Sequence, residues 1–205
     1  MAPVLPVLAR SSALMVQQRK EWGEILTGWQ TRNRYEITDP NTGLALHAGE
    51  LSSGVSGFLL RGFLAAKRPF TLEVRDQAGD LALSMYRPFT FFFSRAQVSD
   101  GTGTLIGAIR QRWAWFARKF TLEDAQGREI ATLHGPFFRP WTFRVLVGEQ
   151  EVGFIKKHWS GLGKEMFSTA DNFTVELSPG VAPEVHALCL AATFLIDFVY
   201  FERNG

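Results

Sequence analysis

Between Gly28 and Pro179 the chain alternates between short runs rich in Phe, Val, Ile, Thr and Trp and recurring turn signals. The turns read Asp39-Pro-Asn-Thr-Gly43, Asp76-Gln-Ala-Gly79, Ser99-Asp-Gly-Thr-Gly103, Asp124-Ala-Gln-Gly127 and Gly148-Glu-Gln150. Even spacing of this kind predicts antiparallel strands in a meander, sandwich or barrel. Two segments depart from it. Residues 12–27 carry Leu14, Met15, Trp22, Ile25 and Leu26 and predict a short N-terminal helix ended by Gly28. Residues 185–201 are apolar apart from His186, Thr193 and Asp197. At ~1.5 Å per residue this run is about 25 Å long, marginal against a bilayer core of about 30 Å. It reads as a spanning tail or as a helix buried inside a protein.

The three polar residues help to choose. At ~100° per residue they fall within about 40° of one another, a thin polar stripe on an otherwise apolar helix. A carboxylate near a span's centre costs roughly 2.5–3.5 kcal/mol, so Asp197 counts against spanning. Inside a protein the stripe would face hydrogen-bonding groups in the surrounding wall.

An internal repeat points the same way. Arg68-Pro-Phe-Thr-Leu-Glu73 recurs as Arg118-Lys-Phe-Thr-Leu-Glu123, and Arg87-Pro-Phe-Thr-Phe91 as Arg139-Pro-Trp-Thr-Phe143. Ile106-Gly-Ala-Ile-Arg-Gln-Arg-Trp113 recurs as Val152-Gly-Phe-Ile-Lys-Lys-His-Trp159. Repeating antiparallel units need a shared core, and closure removes exposed strand edges. One apolar helix after an all-β body suggests that the helix fills a barrel.

Composition narrows the classes. A chain of 205 residues fits one sizeable domain or two small ones. Eighteen Phe and six Trp favour strands and a large core or a lipid-contacting surface. A net charge of +2 is too small to argue for nucleic acid. The single Cys189 excludes a disulfide framework and a cysteine metal site. The first ten residues lack an early basic residue and are broken by Pro3 and Pro6, unlike a secretory signal. Arg10, Arg19 and Lys20 without an acid give the first twenty residues a weak transit-peptide character; residues 1–12 read as a disordered lead-in.

Five phrases, in order, resemble the phospholipid scramblase family. They are Leu26-Thr-Gly-Trp-Gln-Thr-Arg-Asn-Arg-Tyr-Glu-Ile37, Arg68-Pro-Phe-Thr-Leu72, Lys157-His-Trp-Ser-Gly161, Ala170-Asp-Asn-Phe173 and Phe194-Leu-Ile-Asp-Phe198. The family is similar to the Tubby-like group. The resemblance implies one domain over residues 1–205, mainly β: a closed antiparallel barrel of about twelve strands around a central C-terminal helix. It also implies energy-independent transbilayer movement of phospholipids or membrane-lipid association. The alternative is a soluble lipid-, phosphoinositide- or protein-binding module.

The departures from the family bear on sites. Calcium-dependent relatives carry an acidic loop before the last helix. Here Asp171, Asn172 and Glu176 supply the oxygens, with Thr169 and Gly180 at the first and closing ligand positions. Calcium takes 6–8 oxygen ligands, so these three are weak candidates for a calcium site, against a turn in which Asp171 and Asn172 make local backbone hydrogen bonds. Where relatives cluster acylated cysteines this chain has Phe89, Phe91, Phe92 and Phe93. Either these insert as a hydrophobic tip with Arg87 and Arg95 near anionic lipid, or they form a strand packed on both faces. Lys156, Lys157 and Lys164 are a second candidate for lipid phosphates, against a solvated strand face.

Bond chemistry has no visible machinery. His47, His134, His158 and His186 lack metal-ligand spacing, and no nucleophile elbow, phosphate loop or carboxylate pair is present. The expectation is therefore a non-enzymatic monomer without a cofactor, cytoplasmic or peripheral to a membrane. Its partner would be a phospholipid surface or headgroup, or a protein.

Overall fold

The structure, a computed structural model, describes residues 4–19, 31–51, 68–158 and 172–200. The strands are β1 (Ala13–Gln18), β2 (Thr31–Asp39), β3 (Leu44–Leu51), β4 (Phe70–Asp76), β5 (Leu81–Arg87) and β6 (Arg95–Asp100). They continue as β7 (Leu105–Arg112), β8 (Ala117–Asp124), β9 (Glu129–Pro136), β10 (Thr142–Val147), β11 (Gln150–His158) and β12 (Asn172–Leu177). Helices α1 (Val4–Leu8) and α2 (Pro183–Tyr200) flank them. Each strand pairs antiparallel with its sequence neighbours, and β1 pairs with β12 to close a twelve-stranded barrel.

Alternation places the core. On β12, Phe173, Val175 and Leu177 turn inward while Glu176 faces out; on β4, Phe70, Leu72 and Val74 do the same. The lumen they line is filled by α2, whose residues 185–198 are buried without interruption. The helix touches the wall all round: Phe198 stacks on Phe70 of β4 at 4.6 Å, and Tyr200 meets Phe120 of β8 at 6.1 Å. Among the described residues α2 is the helix long and apolar enough to cross a membrane, yet 78% of it lies inside the barrel. A helix enclosed on every side has no need of a polar face, which is why its sequence imitates a span. Gly107 makes room for it. A Cβ there would stand 2.1 Å from the Glu123 carbonyl oxygen and 3.2 Å from Leu188.

The N-terminus corrects the sequence reading. The helix expected over residues 12–27 is replaced at its start by β1, where Leu14 and Val16 point inward. The apolar set fits helical spacing, but barrel closure imposes period two here. Trp22, Ile25 and Leu26 lie outside the described residues. The short helix is α1, inside the stretch read as a lead-in; Leu8 is fully buried and α1 packs against α2.

Because hairpins alternate ends, the two mouths of the barrel differ. The β2–β3, β4–β5, β6–β7 and β8–β9 connections are tight Asp-led turns. Asp100 Oδ1 accepts from the backbone amides of Thr102 and Thr104, both at 2.9 Å, and Asp124 Oδ1 from those of Gln126 and Arg128, again at 2.9 Å. Gly103 and Gly127 follow at φ 86° and 79°, a conformation that disfavours any residue with a Cβ. Hydrogen bonds from Thr102 and from the Thr104, Thr102 and Gly103 amides hold the Asp100 carboxyl below its ordinary pKa. This mouth also takes α1, the N-terminus of α2 and a cavity of about 770 Å³ lined in part by Leu5, Leu105 and Val181. The opposite mouth receives the C-terminus of α2 and is aromatic.

Candidate functional site

Three adjacent connections at that opposite mouth, residues 88–94, 113–116 and 137–141, carry aromatics that find no place in the core. Phe91 and Phe92 are 62% and 86% exposed, Trp115 and Phe116 74% and 83%, and Phe138 82%. The run at residues 89–93 is thus a projecting loop between β5 and β6, and not a strand packed on both faces. Within it the Phe91 ring lies 6.1 Å from that of Phe89 and 5.7 Å from that of Phe92. Trp113 and Trp115 pair edge-to-face at 4.5 Å. Exposed apolar groups clustered at one end mark an interaction surface.

Backbone and side-chain bonds tie the loops into a rim. The Gln111 amide donates to the Ser94 carbonyl at 2.8 Å, and the Phe137 amide to the Phe116 carbonyl at 3.4 Å. Arg118 reaches across to the Pro140 carbonyl. Arg87 anchors the first loop from below. It donates to the Arg68 carbonyl (2.6 Å), Thr90 Oγ1 (3.1 Å) and Ser94 Oγ (3.0 Å), and lies 4.8 Å over the Phe198 ring. Expected at a lipid surface, Arg87 is instead buried and shapes the loop. Arg139, its counterpart in the repeated phrase, is exposed. Arg95 is also exposed.

The lysine segment divides by strand parity. Lys156 is exposed on β11, whereas Lys157 points inward and is 5% exposed. Lys164 lies outside the described residues. Lys157 Nζ donates to Asp197 Oδ1 at 3.1 Å, and Tyr35 Oη donates to Asp197 Oδ2 at 2.8 Å. Lys157 therefore does not face lipid; it and Tyr35 fasten α2 to β11 and β2. The remaining stripe residues behave differently. Thr193 Oγ1 turns back to the Cys189 carbonyl at 3.0 Å. His186 is buried with its Nε2 unbonded, and burial lowers its pKa. Burial pushes the Cys189 thiol far up, leaving it unreactive.

For calcium, Asp171 lies outside the described residues. Asn172 and Glu176 share the outer face of β12, but four steps along the strand separate them by about 13 Å, too far for one ion with ligands at about 2.4 Å. Among the described residues no group of three or more His, Cys, Asp and Glu side chains is placed to hold a metal.

The sequence reading singled out one aromatic loop and missed Trp113, Trp115, Phe116, Phe137 and Phe138. The signal was available. In a meander every second connection lies at the same end, so counting connections from residues 88–94 leads to the other two loops.

The Scramblase family model matches residues 1–203. The chain is 31% identical to phospholipid scramblase 1 of Mus musculus, over 99% of this chain and 65% of that protein. It is 28% identical to phospholipid scramblase 1 of Homo sapiens, over 99% and 67% respectively, and 28% identical to phospholipid scramblase 2 of Bos taurus, over 98% and 72%. The chain thus spans about 65% of the length of the mouse relative. No solved structure matches it. The match runs through every strand of the barrel and its central helix, and the chain belongs to the Scramblase family.

Proposed function

We propose that this protein is a membrane-associated barrel that promotes energy-independent movement of phospholipids between leaflets, and that it seats its aromatic end in the headgroup layer. The observation that carries the reading is the rim of three adjacent loops whose phenyl and indole rings are exposed. Amphipathic aromatic rings favour the membrane–water interface, and the exposed Arg95 and Arg139 suit anionic headgroups.

The filled lumen shapes the mechanism. With α2 packed through the barrel, headgroups have no interior path through the described residues. Their transit is assigned to the outside of the rim, where inserted rings disturb lipid packing. The reading uses a monomer and no cofactor.

The test is reconstitution of the purified protein into phosphatidylcholine–phosphatidylglycerol vesicles carrying a fluorescent lipid, with leaflet exchange followed by quenching of the outer label. Exchange above protein-free vesicles, equal with calcium and with a chelator, is expected. Vesicle flotation of the protein without accelerated exchange would reject the transport step and keep the docking; failure of both would reject the whole reading.

A further inference from the structure

The internal repeat contains a mismatch at one register position. In the first copy Arg68 stands four residues before Leu72, which pairs with Glu50 of β3. Arg68 is neutralised there, both terminal guanidinium nitrogens donating to the buried Glu50 carboxylate. In the second copy Arg118 stands four residues before Leu122, which pairs with Ile109 of β7. The position that supplies a carboxylate to the first arginine supplies a fully buried isoleucine to the second.

The rest of the Arg118 environment follows the first copy. Its guanidinium lies 4.7 Å over the Phe143 ring and 5.0 Å over that of Tyr200, as Arg68 lies 4.9 Å over Phe198. One amine donates to the Pro140 carbonyl, and Nε is buried with no acceptor. Among the described residues it meets no carboxylate, whereas arginines such as Arg128 and Arg144 do. A half-buried guanidinium keeps its charge, and its planar fork matches two phosphate oxygens. This one sits at the foot of the loops at residues 113–116 and 137–141.

We propose that Arg118, half-buried where Arg95 and Arg139 are exposed, is an anion-binding residue of the aromatic end and takes the phosphate of a phospholipid headgroup. The lipid source rests on the docking reading above; the anion site itself does not.

Two arms separate them. In the first, the Arg118 Nε–H resonance, assigned by its loss in Arg118→Lys, is followed in the wild-type protein. The titrants are water-soluble dihexanoylphosphatidylglycerol and, separately, inorganic phosphate at matched ionic strength. A saturable shift with the short-chain lipid at about tenfold lower concentration than with phosphate is expected, because the rim adds apolar contact to the anion contact. Equal or better binding of inorganic phosphate overturns the lipid assignment, and no saturable shift with either overturns the site.

In the second arm, partitioning onto phosphatidylglycerol-containing vesicles is measured for the wild type, Arg118→Lys and Arg118→Gln. Loss of a charge-assisted hydrogen bond predicts about tenfold weaker partitioning for Arg118→Gln. The lysine variant retains the charge but loses the fork and is expected to recover only part of it. Unchanged partitioning in a glutamine variant that still melts cooperatively refutes the site. Failure of the wild type to bind vesicles refutes the docking reading alone, since the titration still decides on the anion.

Discussion

Phe92→Ala is the sharpest test of the rim. The ring is 86% exposed and packs on Phe91 at 5.7 Å, so its removal should leave folding almost untouched. Burying a large apolar side chain is worth ~1.5–3 kcal/mol. Scaling by the 86% now in water gives about 1.3–2.6 kcal/mol of insertion energy. At about 1.4 kcal/mol per decade, the variant should partition onto vesicles roughly tenfold to seventyfold more weakly. Phe116 and Phe138, at 83% and 82% exposure, should each give a loss in the same range. Phe143, 1% exposed, supplies the opposite control: Phe143→Ala should cost ~3–5 kcal/mol of stability through an unfilled cavity. Co-sedimentation with sucrose-loaded vesicles reads the first quantity and urea unfolding the second. Unchanged partitioning of all three exposed-ring variants would refute insertion of this end. A loss at Phe92 with none at Phe116 and Phe138 would refute the three-loop rim.

Lys157→Met removes the charged partner of the buried Asp197 carboxylate, and should destabilise by about 3–5 kcal/mol in urea; adding Asp197→Leu should recover most of that. A loss in the double variant equal to the sum of the Lys157→Met and Asp197→Leu losses would show that the pair is not coupled. Gly107→Ala places a Cβ 2.1 Å from a backbone oxygen and should lower stability by about 1–3 kcal/mol, seen as a lower Tm; an unchanged Tm would mean that β7 has slack. Burial lowers the His186 pKa, so the unfolded chain takes the proton first. Stability is then full above about pH 6.5 and falls as the pH drops from there toward the folded value. His158 is shifted the same way by burial and by Lys156, so His186→Gln should flatten only part of that slope. A slope unchanged in His186→Gln would remove His186 from the acid limb.

The barrel and its filling were legible because both rest on periodicity. Turn residues at even spacing, a repeat and an apolar run with one thin polar stripe leave few other arrangements. The assignment of residues 12–27 failed because Leu14 and Met15 fit either period, and pairing with β2 and the distant β12 decides between them. Strand parity decided the lysines: one step along β11 turns Lys156 to water and Lys157 to Asp197. Arg87 could not be told from Arg95 in sequence, since its burial depends on Ser94 and Phe198 meeting beneath a loop. The mismatch at Ile109 needed the register, which no local pattern carries.

The position of α2 in the chain has a consequence for how the protein is made. All twelve strands are synthesised before the segment that fills their lumen, and β1 waits for β12 before it can close the barrel. At ~5–20 residues per second the inward faces of the early strands stay without their core for about ten seconds or more. A ribosome stalled before residue 183 therefore holds a sheet with a largely apolar face and two open edges, a substrate for chaperones or for aggregation. Interruption anywhere in α2 should be read by the cell as failure of the whole barrel, so a chain truncated in its last helix is expected to be degraded and not to persist as a shortened protein.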